Sequence, residues 1–327
     1  MSRIIFMGTP QFAVAALEAL IAGQTPGAVL AQGYQLASVI TRVDKPAGRG
    51  KEVIYSPVKQ AALAHGIPVW QPGSLKRPEN IEMLATYQAD LYIVAAFGQI
   101  LPQAVLDQPR YGTLNIHASL LPKYRGMSPI SEAILQGDSE TGISIMLIDA
   151  GVDTGPVLLK RTLSIAADET TGSLTTKLAT LGAQTLLEAL PPWIAGDLTP
   201  EPQDELKASH TRMLRKEDGE IRWERPAAVL AREVRAYNPW PSAYTHWHGK
   251  LLKIVTAHPS ALEPGGAVTP GTVSQWEEAG HRLLAVVTGS GRLLVERLQL
   301  EGKKAMSAEE FVRGYPRIVG DVLGSGS

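Results

Sequence analysis

The sequence has no cysteine among its 327 residues, so neither a disulfide framework nor a thiolate metal site is possible. No apolar run approaches the ~20 residues that span a bilayer, and the first stretch, MSRIIFMGTPQF, lacks the long apolar region of a secretory signal. A cytoplasmic protein with no membrane partner is therefore expected. Metal-binding patterns are missing as well: there is no HExxH, no Walker loop and no paired histidine ligands. His246 and His248 flank Trp247 in a way that suits alternate faces of a strand, so no metal is expected. The net charge of −1 points to no partner by itself. Its distribution is uneven, with 14 Lys/Arg against 19 Asp/Glu in residues 1–206 and 17 against 13 in residues 207–327. That asymmetry is either chance between two domains or the mark of a C-terminal half facing a polyanion.

What is present suits two folded domains. The length fits two, and 44% hydrophobic residues suffice for real cores. Residues 3–7 (RIIFM) read as a buried strand ending at Gly8, and Pro10 sits at the first turn of the helical QFAVAALEALIA. Strands follow at 35–41, 91–96 and 112–117, with helices at 57–65 and 78–88. Alternation of this kind predicts an α/β domain with a doubly wound, parallel, Rossmann-like sheet. Ligands of such sheets bind beyond the C-terminal strand ends, here the segments after Met7, Ala96 and Ile116. Residues 172–190 form an amphipathic helical stretch. The prolines and acids of 191–206 then read as a linker. Beyond it, a helical AAVLAREVRA precedes five short alternating runs separated by Gly and Pro, which predict an OB-like β-barrel. The expected boundaries are 1–190, 191–206 and 207–320.

The densest polar cluster lies in NIHASLLPKYRG. Asn115 and His117 are two apart on a predicted strand, so both face one way at its C-terminal end. Histidine exchanges a proton near neutral pH, and an asparagine amide can donate to a developing oxyanion. A lone strand-end histidine is more often a hydrogen-bonded structural residue; the company of Asn115 and the Ser-Leu-Leu-Pro turn favours chemistry. In DAGVDTGP, Asp149 and Asp153 flank Gly151, and Gly155 follows, which suggests a tight loop after the strand ISIMLID. Its carboxylates either orient a histidine or sit in a surface Asp-Gly turn. Gly8 alone is no GxGxxG fingerprint, so no dinucleotide is inferred. The stretch TRVDKPAGRGKEV carries Arg42, Lys45, Arg49 and Lys51 among glycines and reads either as a phosphate-contacting loop or as a solvated one.

Asn-x-His, the Ser-Leu-Leu-Pro turn and the downstream Val-Asp-x-Gly loop together resemble the folate-dependent formyltransferases. That family includes glycinamide ribonucleotide, methionyl-tRNA and nucleotide-sugar formyltransferases. Further stretches resemble the methionyl-tRNA branch: IIFMGTPQFA, DKPAGRGK, SPVKQAA, LRKEDGEIRW, VRAYNPWPSAYT and LEGKKAMSAEEFVRG. They run over essentially the whole chain. The departures are Lys45, where many relatives carry Arg, and Met127-Ser128 in place of two small residues.

The resemblance implies a catalytic triad of Asn115, His117 and Asp153, with Ser119, Leu120, Leu121 and Pro122 bordering the folate, and an apolar slot lined also by Leu91–Pro102. It implies formyl transfer from 10-formyltetrahydrofolate to the α-amino group of methionyl-initiator tRNA, by a monomer that needs no metal. Candidate tRNA contacts are Arg42, Lys45, Arg49 and Lys51 in the basic loop. Lys207, Arg212, Arg215, Lys216, Lys303 and Lys304 in the second domain extend them. A sugar-nucleotide acceptor, or a folate- or RNA-binding protein with a dead site, are the alternatives. The basic loop argues against the first and the intact triad against the second.

Overall fold

Residues Ser2–Gly8 form a strand, β1, buried along most of its length. A continuous apolar run is what a strand covered on both faces requires. In chain order there follow α1 (Gln11–Gly23), β2 (Tyr34–Ile40), β3 (Lys45–Ala47), β4 (Glu52–Ile54), α2 (Pro57–Ala64), β5 (Val69–Trp70), α3 (Pro78–Ala85) and β6 (Leu91–Ala95). Then come α4 (Gln103–Leu106), β7 (Thr113–His117), β8 (Arg125–Gly126), α5 (Pro129–Gln136), β9 (Glu140–Leu147), β10 (Val157–Ser164), α6 (Thr171–Ala195) and β11 (His210–Thr211). The computed structural model describes residues 1–24, 33–47, 52–262, 265 and 268–324. The chain divides into two units: Met1–Pro129, Glu140–Ser164 and Thr175–Thr211 form the first; Ile130–Ser139, Ile165–Leu174 and Arg212–Ser327 form the second. This division assigns residues 130–139 and 165–174 to the second unit, whereas the expected boundary placed them in 1–190.

The first unit holds a seven-stranded sheet in the order β10-β9-β7-β6-β1-β2-β5. Strands β5, β2, β1, β6 and β7 are parallel. The chain runs outward from β1 to β2 and β5, then returns to β6 on the other side of β1, so the strand order reverses at β1/β6. At that point Gly8 is forced by packing: a Cβ there would lie 2.8 Å from the Ala13 Cβ and 3.0 Å from the Ala95 carbonyl oxygen. The doubly wound parallel sheet is extended at one edge by antiparallel strands. β9 runs antiparallel to β7, and β10 antiparallel to β9. In the edge strand β10 only Val157 and Leu158 are buried, and Lys160, Arg161 and Thr162 interrupt the apolar run, so VLLKRTLS leaves a weak strand signal. The two-residue β5 and the four-residue α4 are too short to leave a period.

Two further expectations change. The helix ending at 190 continues as α6 through Pro191 and Pro192 to Ala195, and the Trp193 indole donates to the Tyr111 carbonyl at 3.0 Å. Tertiary anchoring there outweighs the two N–H donors that proline lacks. Within the basic stretch, β3 pairs antiparallel with β4, with Lys45 opposite Ile54 and Ala47 opposite Glu52.

The second unit contains α7 (Ala227–Ala236), the strands β12 (Ala243–Trp247), β13 (Lys250–Ser260), β14 (Val273–Glu278), β15 (His281–Val287), β16 (Arg292–Leu300) and β17 (Met306–Ser307), and α8 (Ala308–Gly314). β12 to β16 coincide with the five expected runs and form an antiparallel sheet in the order β12-β13-β16-β15-β14. The C-terminal segment joins its two outer strands. Val273 N–H donates to the Asp321 carbonyl at 2.9 Å, and Gly324 N–H to the His246 carbonyl at 3.0 Å. Unpaired strand edges are thereby covered, as in a barrel. Trp223, Leu230, Ile254, Leu293 and Phe311 are buried in its core.

Candidate active site

Strand β7 alternates. Leu114 and Ile116 are buried in the sheet core, and Gly182 of α6 has no room for a side chain because a Cβ would meet Ile116 at 2.9 Å. Asn115 and His117 therefore project from the opposite face. Register places Asn115 beside Val94 of β6, one residue before the strand end that lies next to Gly8. Asp153 arrives from the loop after β9, with a left-handed φ of 54°. Asn115 Nδ2 donates to Asp153 Oδ1 at 3.3 Å, and His117 Nδ1 lies 3.5 Å from Asp153 Oδ2. The three residues named from sequence converge.

The protonation pattern follows from the partners. His117 Nε2 is 3.0 Å from the Tyr124 carbonyl oxygen; a carbonyl only accepts, so Nε2 carries a proton. Nδ1 then faces the carboxylate as a lone pair in neutral histidine or as a donor in the cation. His117 is 5% exposed. Burial pulls its pKa below the ordinary histidine value, while the Asp153 charge and the Tyr124 carbonyl oppose that; burial prevails. A carboxylate likewise only accepts, so the Asn115 amide presents its NH2 to Asp153 and keeps a second N–H for another acceptor. Asp153 Oδ2 also takes the Gly126 N–H at 2.8 Å.

The turn after β7 is held from below. Ser144 of β9 accepts from Leu121 N–H at 3.1 Å and donates to the Ser119 carbonyl at 2.7 Å. Ser119 and Leu121 are buried, and Leu120 and Pro122 are half-buried. Leu121 packs on Met146 and Val157. Across the strand ends, Phe97 and Leu101 are buried while Ile100 is 70% exposed. The Asp153 loop is sterically tight: a Cβ on Gly155 would sit 1.9 Å from the Leu147 carbonyl oxygen. Gly155→Ala is expected to displace the loop, lowering kcat on the order of 10²-fold and stability by about 1–3 kcal/mol. Urea denaturation beside steady-state kinetics checks both; wild-type turnover would refute the tight-loop argument.

Sequence reasoning missed Ser144, Tyr124, Arg125 and Gln203. Ser144 left one signal, a polar residue inside an otherwise apolar strand, which must find a hydrogen-bond partner. Arg125 and Gln203 left none, because their partners are 80 and 50 residues away.

The basic candidates are scattered. Arg42 is exposed, and its carbonyl accepts from Gln71 Nε2 at 2.6 Å. Neighbouring Asp44 pairs with Lys59 and accepts from Gln71 at 2.9 Å. Lys45 lies on β3, and Arg49 and Lys51 lie outside the described residues. Lys207 is 3.2 Å from Asp204 in the first unit. In the second unit, Arg212 donates to both oxygens of Asp218 and stays largely exposed. Arg215, Lys216, Lys303 and Lys304 are exposed.

Two family profiles match the chain: formyl transferase over residues 2–190, and formyl transferase, C-terminal domain, over residues 213–316. A methionyl-tRNA formyltransferase of Thiobacillus denitrificans is 47% identical over 323 residues, covering 99% of this chain and 100% of that protein. One of Agathobacter rectalis is 45% identical over 312 residues, covering 95% and 96%. Among solved structures, the sugar 3N-formyl transferase WlaRD, with dTDP and 5-N-formyl-THF present, has a TM-score of 0.63 at 18% identity, covering 93% of this chain and 99% of that one. HypX from Aquifex aeolicus in complex with tetrahydrofolic acid has a TM-score of 0.61 at 19% identity, covering 97% and 48%. At such identities the two structures speak to fold alone.

Proposed function

Because the chain belongs to the formyl transferase family, and within it to the methionyl-tRNA formyltransferases, we propose that it transfers the formyl group of 10-formyltetrahydrofolate to the α-amine of methionine on initiator tRNA. The observation that carries the reading is the meeting of Asn115, His117 and Asp153 at the C-terminal end of β7, in a chain that matches these relatives over its full length. As the neutral amine attacks the formyl carbon, the free N–H of Asn115 donates to the oxyanion that develops there. The attacking nitrogen becomes acidic, and neutral His117 accepts its proton at Nδ1, where Asp153 stabilises the cation. His117 then returns the proton to the departing folate nitrogen as the carbon–nitrogen bond to folate breaks. No covalent link to the enzyme is formed.

Leu91–Ala95 are buried in the sheet, so the folate ring rests against Leu120, Pro122 and the Phe97–Pro102 segment beyond β6. The enzyme acts as a cytoplasmic monomer. Formyl transfer to charged initiator tRNA, run beside a sugar-nucleotide amine, tests the acceptor; transfer to the sugar nucleotide alone would overturn it.

The tRNA is met by Arg42, Lys45, Arg49 and Lys51 near the reacting amine, and by Lys207, Arg215, Lys216, Lys303 and Lys304 along its phosphates. Base contacts give selectivity, whereas phosphate contacts give affinity that falls with salt. Arg49→Ala is expected to cost about 1–3 kcal/mol in kcat/KM for initiator tRNA and to relax discrimination against elongator methionyl-tRNA. Lys303→Ala is expected to weaken both tRNAs evenly and to reduce the salt slope by about 1. Kinetics with both tRNAs at two salt concentrations separate these outcomes. An Arg49 variant with unchanged activity and selectivity would remove Arg49 from tRNA recognition.

A further inference from the structure

Arg125 is one of the largest fully buried side chains in the protein, at 1% exposure. A buried guanidinium must be paired, and this one is. Nη1 and Nη2 donate to the two carboxylate oxygens of Glu205 at 2.9 and 2.7 Å, and Nε donates to Gln203 Oε1 at 3.0 Å. That last bond decides which way the Gln203 amide faces, since arginine only donates. Gln203 Nε2 is thereby turned toward the catalytic loop, where it donates to the Asp153 carbonyl at 2.8 Å and the Gly155 carbonyl at 2.7 Å.

The neighbouring residues of the same stretch hold the rest of the site. Glu201 and Val157 exchange two backbone hydrogen bonds, both 2.8 Å, at the far end of the Asp153 loop. Ser209 Oγ accepts from Tyr124 N–H at 2.9 Å, and the Tyr124 carbonyl is the one that accepts from His117 Nε2. β11 pairs with β8, and a Cβ on Gly126 would lie 2.4 Å from the Thr211 carbonyl oxygen. Gly126 in turn gives its N–H to Asp153. Residues 201–211 thus border both the Asp153 loop and the Tyr124–Gly126 backbone.

We propose that Gln203, oriented by Arg125 and Glu205, is a positioning residue for formyl transfer: it holds the backbone of Asp153 so that the carboxylate meets Asn115 and His117. The segment expected to be a plain linker is then part of the active-site frame. The physical need is clear. Asp153 sits in the left-handed region, which non-glycine residues hold only when their surroundings enforce it. Two carbonyls bound to one amide enforce it. An ion pair such as Arg125–Glu205 is a poor source of net stability, and its contribution here is direction. This inference rests on the catalytic reading of the triad given above.

The test uses the full-length enzyme. Gln203→Glu keeps an oxygen for Arg125 and puts a second oxygen, in place of the donor, against the two carbonyls. Gln203→Met keeps the volume and removes both polar functions. Each is expected to lower kcat on the order of 10²-fold, as a displacement of about 1 Å does, with KM for folate and tRNA changed by less than ~3-fold. In Gln203→Met, which adds no charge, the acid limb of the kcat–pH profile should move to lower pH, as in Asp153→Asn, because the carboxylate no longer supports the His117 cation. Combining Gln203→Met with Asp153→Asn should add little further loss, since coupled residues are not additive. The inference is overturned if kcat stays within ~3-fold of wild type. A kcat that falls only in proportion to the folded fraction, with the pH profile unmoved, also overturns it and leaves a merely structural contact. Asn115→Ala and His117→Ala are assayed alongside: retained activity in those variants sinks the triad itself, whereas their loss with active Gln203 variants sinks only the positioning role.

Discussion

Replacing Asn115 by alanine is expected to lower kcat by about 10²–10³-fold, the cost of losing one oxyanion donor, or roughly 3–4 kcal/mol. The argument is geometric. Asn115 has two amide hydrogens; one is spent on Asp153 at 3.3 Å, and the other stays available at the strand end. Asn115 is only half-buried and carries no part of the sheet core, unlike Leu114 and Ile116 on either side. The fold should therefore survive, and circular dichroism and thermal melting should match wild type. Asn115→Asp is a stricter version. It keeps the shape but sets a second carboxylate against Asp153, removing the donor and adding repulsion. Activity should fall at least as far as in the alanine variant. KM for both substrates should move little, because a donor that engages only the developing charge contributes to the transition state and not to substrate binding. Single-turnover formylation with saturating folate and charged tRNA measures this directly. A near wild-type rate in either variant would remove Asn115 from catalysis.

His117→Gln should cost on the order of 10²–10⁴-fold in kcat, the range for a proton-transferring residue. Glutamine can still donate to the Tyr124 carbonyl, so the loss isolates proton acceptance at the other nitrogen. The pH dependence carries a definite sign. The histidine must be neutral to accept the proton of the attacking amine. Burial lowers its pKa, so it remains neutral to lower pH than a free histidine, and the wild-type acid limb should lie below pH ~6.5. Asp153 opposes that shift, so Asp153→Asn should move the limb further toward acid even as the plateau falls. The amine titrates as well, and the comparison is therefore made on kcat with both substrates saturating. A limb above neutrality, or a limb unchanged in the glutamine variant, would refute His117 as the titrating base.

The sequence by itself determined more of the site than of its frame. The period of two that puts Asn115 and His117 on one face is a property of a strand, and the strand was visible in its apolar neighbours. The sheet rule then located the mouth of the site. In the second unit the five alternating runs became β12 to β16 for the same reason: period and turn residues are local signals. The failures are non-local. Gln203 sits among prolines and acids, a composition that reads as a tether, and nothing nearby in the chain shows that Arg125 turns its amide toward Asp153. Likewise, the periodic pattern stopped at Pro191, yet α6 runs on to Ala195 with Trp193 bound to Tyr111. β9 and β10 run antiparallel, although strand direction leaves no mark in composition. Local propensity and periodicity are written residue by residue, whereas the pairing of donors and acceptors 50 to 80 residues apart exists only once the chain has closed around them. That closure decided which proton His117 keeps, which way Asp153 points and what holds it there.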